Sequence, residues 1–301
     1  RYAYVGGIAG QLRIDGTLTG NGDTTNSGAV TIEQMEYSTE DIVAVGGVVG
    51  QQLGKVSNTV NSGAVTVSAS PAAGGTIAWK VRCAGGISGL LGEIGKTYAE
   101  ASVAGSKNLA LVKQERTTVR SNGMPAYVGG IVGYIYESAA SVSGCTNSGE
   151  VNNDYYNNNI DFDAAESAKR TNCTGGIVGA AYYTADGQTM TIENCYNYGT
   201  VTGTAGVVGG IAGLSAANVS NCVNESAITG KGNDVAGIVA EQQNAGSVKN
   251  CTNRGEIRNN TASYGTAGIV GWIRYNGATK DYPVKNVIEV TGNTNYGKVS
   301  G

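Results

Sequence analysis

Residues 171–204 read TNCTGGIVGAAYYTADGQTMTIENCYNYGTVTGT, and this stretch decides the fold. It holds a glycine-led apolar segment (175–179), a short segment ending in a cysteine (191–195), and an asparagine turn feeding a third apolar segment (197–201). The same unit returns eight times. Its first half is G-G-[IV]-x-G at 6–10, 46–50, 85–89, 129–133, 175–179 and 209–213; Ala replaces the leading Gly at 236–240 and 267–271. The third position is always β-branched (Ile8, Val48, Ile87, Ile131, Ile177, Ile211, Ile238, Ile269), which suits an inward-facing strand position. The glycines around it permit a tight turn and close approach of neighbouring backbones.

The second half centres on Asn26, Asn61, Asn108, Asn147, Asn197, Asn224, Asn253 and Asn295, each followed four residues later by Val or Ile. Five residues before the Asn stands Val56, Val103, Val142, Ile192, Val219, Val248 or Val290; the first copy has Asn21 there and is degenerate. Three short apolar strands separated by Gly and Asn corners describe one coil. The chain is therefore expected to be all-β, a right-handed parallel β-helix (β-solenoid) of eight three-strand coils with loop insertions, forming a single domain over 1–301. Coils stacked at the strand spacing give a rod about 40 Å long. Helical repeats are disfavoured, because the apolar segments are too short and too rich in Gly and Asn. The chain opens and closes inside repeats, so it is expected to be a piece of a longer one, with any signal peptide or anchor outside it.

The insertions are uneven. Four lie between an Asn motif and the next Gly motif, near 33–43, 68–81, 113–126 and 152–172, and are expected to project from one corner. Two others follow the Gly motif, near 180–190 and 272–287. Loops on a rigid scaffold are where binding is expected.

Through Gly7-Ile8-Ala9-Gly10 and its seven counterparts, the chain resembles the GLUG-type repeats of bacterial cell-surface proteins, notably of gut bacteria, and of extracellular segments near some immunoglobulin-cleaving proteases. Ile or Val stands here where the family name implies Leu. The resemblance implies a secreted or surface-tethered, adhesin-like β-solenoid of bacterial origin. It brings no catalytic residues.

Composition removes several classes of function. Twenty basic and 23 acidic residues give a net charge of −3 without a basic run, so nucleic acid is not an expected partner. No apolar run reaches the roughly 18–20 residues that span a bilayer. The chain has no His, which excludes His-dependent triads and the commonest metal ligand. Cys145, Cys195, Cys222 and Cys251 share one repeat position, two before the Asn, and are expected to form an internal stack of thiols. Parallel in-register side chains have poor disulfide geometry, and Cys83 and Cys173 lie two coils apart. No CxxC occurs, and no metal site is expected from the cysteines. The asparagines are expected to form a structural ladder, each bonding its own turn and the Asn of the next coil.

What remains is carboxylate and aromatic chemistry. Asp154, Asp161, Asp163 and Glu166, followed by Lys169 and Arg170, form a solvated acidic loop that would at most hold Ca²⁺ or supply paired carboxylates for glycosidic cleavage. Exposed aromatic rings stack on sugars or anchor protein partners. Tyr37, Trp79, Tyr155, Tyr156 and Phe162 fall in the corner insertions, and Tyr182, Tyr183, Trp272 and Tyr275 follow Gly motifs, as do Tyr134 and Tyr136. These nine corner and post-motif rings, without Tyr134 and Tyr136, are the candidate ligand contacts; the competing role is covering loop bases and strand ends. The expected function is a non-enzymatic, extracellular, adhesin-like module that contacts a glycan or host/matrix protein. A polysaccharide-active β-helix enzyme (lyase or glycoside hydrolase) and a ligand-free stalk are the alternatives.

Overall fold

The computed structural model describes residues 2–33, 42–68, 81–93, 98–115, 125–136, 138–154, 172–182, 189–243, 246–261, 265–274 and 288–301. In the fifth coil Cys173–Gly175, Val178–Tyr182, Thr191–Glu193, Tyr196–Asn197 and Val201–Gly203 are strands, and each belongs to a different sheet. The five sheets, I to V in that order, each contain eight strands, one from every coil. Neighbouring coils pair in parallel with repeat-equivalent residues in register over most of their length, so Gly129, Gly175 and Gly209 align, as do Asn147, Asn197 and Asn224. This is a parallel β-solenoid. Among the described residues no helix is long and apolar enough to cross a membrane.

Each coil has five short strands, not the three expected. The glycine motif accounts for one of the extra divisions. Gly176–Ile177 bends the chain between Cys173–Gly175 and Val178–Tyr182, so the apparent single apolar strand is a corner with a strand on either side. A second bend lies three residues before the ladder Asn. There Asn58, Gly105, Gly144, Asn194, Asn221, Asn250 and Gly292 all have φ between 52° and 67°, a region that Asn and Gly enter most readily. That bend separates sheet III from sheet IV.

The two sequence motifs meet in space. A Cβ on Gly176 would lie 2.1 Å from the Gly210 carbonyl oxygen and 2.4 Å from Asn197 Cγ. The second glycine of every motif has this contact with the ladder Asn of its own coil, at 2.2–2.6 Å from a hypothetical Cβ to Cγ. The corner between sheets I and II thus rests on sheet IV, and only hydrogen fits between them.

On either side of that contact lies an apolar layer. Between sheets II and III, Ile87, Ile131, Ile177, Ile211 and Ile238 pack on Val103, Val142, Ile192 and Val219, all fully buried. Between sheets I and V, Val43, Val45, Val128 and Val208 face Val65, Val112, Val201 and Ile228. Burying one such side chain contributes about 1.5–3 kcal/mol, and a coil acquires this only from its neighbours above and below. The end of the stack shows the point: Ile8 is 50% exposed, whereas its counterparts Ile87 to Ile238 are at 0%.

The ladder runs unbroken through all eight coils. Each Asn Nδ2 donates to Oδ1 of the next Asn, over 2.7–2.9 Å, from Asn26 to Asn295. The same Nδ2 donates to the carbonyl two residues along its own turn, such as Gly149 for Asn147 and Gly199 for Asn197. The thiol stack is present too. All six cysteines are free and buried, and Cys145, Cys195, Cys222 and Cys251 each donate to the carbonyl two residues back at 3.2–3.4 Å. Ser106 and Thr59 continue the column upstream, their hydroxyls 3.0 Å apart.

Candidate functional site: an exposed tyrosine–arginine strip

The residue after the ladder Asn sits on the turn from sheet IV to sheet V, where its backbone N–H donates to the Asn carbonyl of the coil above. It points outward, and register stacks it from coil to coil. In coils five to eight this column reads Tyr198, Glu225, Arg254, Tyr296. Tyr198 is 51% and Tyr296 71% exposed. Arg254 pairs with Glu225 through Nη1 and lies over the Tyr296 ring, 6.0 Å from its centroid. Tyr196, outward on sheet IV, is stacked beside Tyr198 with centroids 6.4 Å apart and planes 7° from parallel. The result is a ridge of flat apolar rings and one guanidinium along the rod, with about 4.8 Å between successive positions. Sequence reasoning passed over these tyrosines because they lie inside the repeat and not in an insertion. The signal was there: the residue after Asn is Ser in three of the first four coils and becomes Tyr, Glu, Arg and Tyr in the last four.

Of the ring residues expected to bind ligand, Tyr37, Trp79, Tyr155, Tyr156, Phe162, Tyr183 and Tyr275 lie outside the described residues, as do Asp161, Asp163 and Glu166. Asp154 is described, at the end of the sheet V strand, its N–H donating to the Gln114 carbonyl. Tyr182 is 6% exposed and belongs to a buried cluster, so in this structure it covers a strand and presents no open face. Trp272 is half-buried beneath Arg274, 5.3 Å from the ring centroid.

That buried cluster occupies the outer faces of sheets I and II, which fold towards each other across the glycine corner. The third motif glycine permits this: a Cβ on Gly89 would lie 2.5 Å from the Val45 nitrogen. Facing columns run Ala44, Cys83, Tyr127, Cys173, Val207, Asp234 on sheet I and Gln51, Leu90, Tyr134, Ala180, Leu214, Glu241 on sheet II. Tyr127 and Tyr134 meet at 4.4 Å between centroids, and burial pushes both phenols well up, as it does the Cys83 and Cys173 thiols. In the seventh coil the cleft turns polar. Asp234 accepts from the Gly265 N–H at 2.7 Å, and burial pushes its carboxyl up to about 6. Glu241, also raised by burial, accepts from Gln243 at 2.6 Å and pairs with Arg274 at 3.5 Å. No group of three or more acidic or thiol side chains is arranged to hold a metal ion among the described residues.

Compared with known families, the chain matches the GLUG motif over residues 125–152, the whole fourth glycine corner and its asparagine turn. This coil is a GLUG-type repeat. Register carries the same GLUG positions into the other seven coils, where the glycine–asparagine contact recurs. No curated protein and no solved structure matches this chain.

Proposed function

We propose that this chain is an adhesin-like binding module of a bacterial cell surface, contacting a glycan or a host or matrix protein and performing no chemistry. The observation that carries this reading is the strip of Tyr196, Tyr198, Arg254 and Tyr296. Exposed rings held by a rigid sheet lose little entropy on binding and offer faces to sugar C–H groups or to protein side chains. Repetition along a stiff rod adds weak contacts into useful affinity. The corner insertions bearing Tyr155 and Tyr156 would supply a second contact region. A polysaccharide-cleaving role would draw on the insertion carboxylates; the described pair, Asp234 and Glu241, is 1% and 3% exposed.

The test is a glycan and extracellular-matrix array probed with the protein, a Tyr198→Ala/Tyr296→Ala variant and a Tyr155→Ala/Tyr156→Ala variant. Binding should fall about tenfold for each ring removed from the contact. Loss in the first variant assigns the strip, and loss in the second assigns the insertions. Absence of any ligand for the unmodified protein would leave a stalk.

A further inference from the structure

A concave site lies at the opposite end of the rod from the strip, where sheet II passes to sheet III in the first three coils. Its cavity of about 240 Å³ is lined by Ile14, Asp15, Gly16, Thr17, Leu53, Gly54, Lys55 and Glu100. That volume is below the roughly 300–1,000 Å³ of sites for drug-sized ligands, and suits a single sugar ring. Two carboxylates and one ammonium share the rim. Lys55 pairs with Glu100 at 3.5 Å, while Asp15 makes no ion pair among the described residues. Ile14, 45% exposed, supplies an apolar wall, and Thr17 also lines the cavity.

Both acidic residues hold unusual backbones. Asp15 has φ 66° and Glu100 φ 75°. Glu100 stands where the third-coil strand Tyr98–Ala104 shifts register against its neighbour between Ala99 and Ser102. That irregularity is absent from the pairing of the same sheet in coils four to six, and it places a carboxylate over the cavity.

We propose that this cavity binds an amine-bearing monosaccharide unit, a hexosamine of a partly deacetylated glycan. The net charge of the rim is −1, so it attracts an ammonium and repels carboxylated sugars. The free Asp15 carboxylate takes the ammonium, Glu100 and Thr17 take ring hydroxyls, and Ile14 covers the C–H face. The site is independent of the tyrosine strip and stands or falls separately from it.

Calorimetric titration with glucosamine, N-acetylglucosamine, glucuronate and n-butylamine tests this. Glucosamine should bind at least about tenfold more tightly than N-acetylglucosamine, with no binding of glucuronate and weakening in salt. Asp15→Asn, on an exposed side chain, should cut glucosamine affinity about tenfold without moving the melting temperature. Lys55→Met should raise affinity several-fold, since it frees Glu100 and removes a like charge. Equal binding of n-butylamine overturns the sugar assignment. Full affinity in Asp15→Asn, or a fall in Lys55→Met, overturns the ammonium site. The Tyr198→Ala/Tyr296→Ala variant should titrate like the unmodified protein, and a loss there would place the sugar on the strip instead.

Discussion

The asparagine corner and the cleft between sheets I and II run the full length of the same rod, yet they are built by opposite rules. At the corner, Asn and the second motif Gly appear in every coil. In the cleft, equivalent positions pass from Gln to Leu and Tyr and then to Asp and Glu. The corner keeps one residue type because each Asn between the two ends is bonded to the coil above, the coil below and its own turn, with a glycine hydrogen filling the gap. The cleft asks only that facing side chains fill volume, or satisfy one another when polar. Coil-to-coil bonding preserves residue identity, and packing alone preserves only size.

That contrast can be broken first at Asn197. Asn197→Ala removes its bonds with Asn147, Asn224 and Gly199 and leaves buried partners unmet, so it should cost about 4 kcal/mol, read by denaturant unfolding. Gly176→Ala should cost about 3 kcal/mol by driving a Cβ into Asn197 and the Gly210 carbonyl. Gly175→Ala should also destabilise the fold, since its Cβ would lie 2.0 Å from the Val178 carbonyl oxygen, although Ala is accommodated at the aligned positions Ala236 and Ala267.

In the cleft the largest expected effect is a gain. The folded chain holds the Asp234 proton up to about pH 6, whereas an unfolded Asp releases it near 4. The contribution of this group is therefore best below about pH 4, declines as pH rises to 6 and stays low above it. Asp234→Asn should add about 2 kcal/mol at pH 7, with the difference fading below pH 4. Cys222→Ser should change stability by no more than about 1 kcal/mol, because Ser106 already holds the equivalent position and a hydroxyl makes the same bond to the carbonyl two residues back.

The solenoid, its eight coils, the ladder and the thiol stack were legible because each depends on residue type at a fixed repeat position. The count of strands was not. Gly-Gly-Ile reads equally well as a strand or a corner, and only the contact between Gly176 and Asn197 distinguishes them. The column of Asn and Gly three residues before the ladder was visible in the letters, but its meaning depends on a dihedral angle. Aromatics were sought in the insertions because loops usually carry function. The strip of Tyr198 and Tyr296 uses an ordinary repeat position, made visible only by stacking coils 27–50 residues apart in the chain. Asp234 and Glu241 are likewise seven residues apart in sequence and meet only because the corner folds sheet I against sheet II.

The bonds that join one coil to the next all lie along the rod. Tension applied at the two ends therefore loads a single terminal coil at a time, as a zipper is loaded at its slider. The coil at residues 209–235 occupies about 4.8 Å of rod, yet its 27 residues reach about 90 Å when drawn out. Under a pull the molecule is expected to lengthen in discrete steps, dissipating work at each, and to re-form by laying every coil onto a finished template. A rod of this construction is stiff at rest and extensible under load.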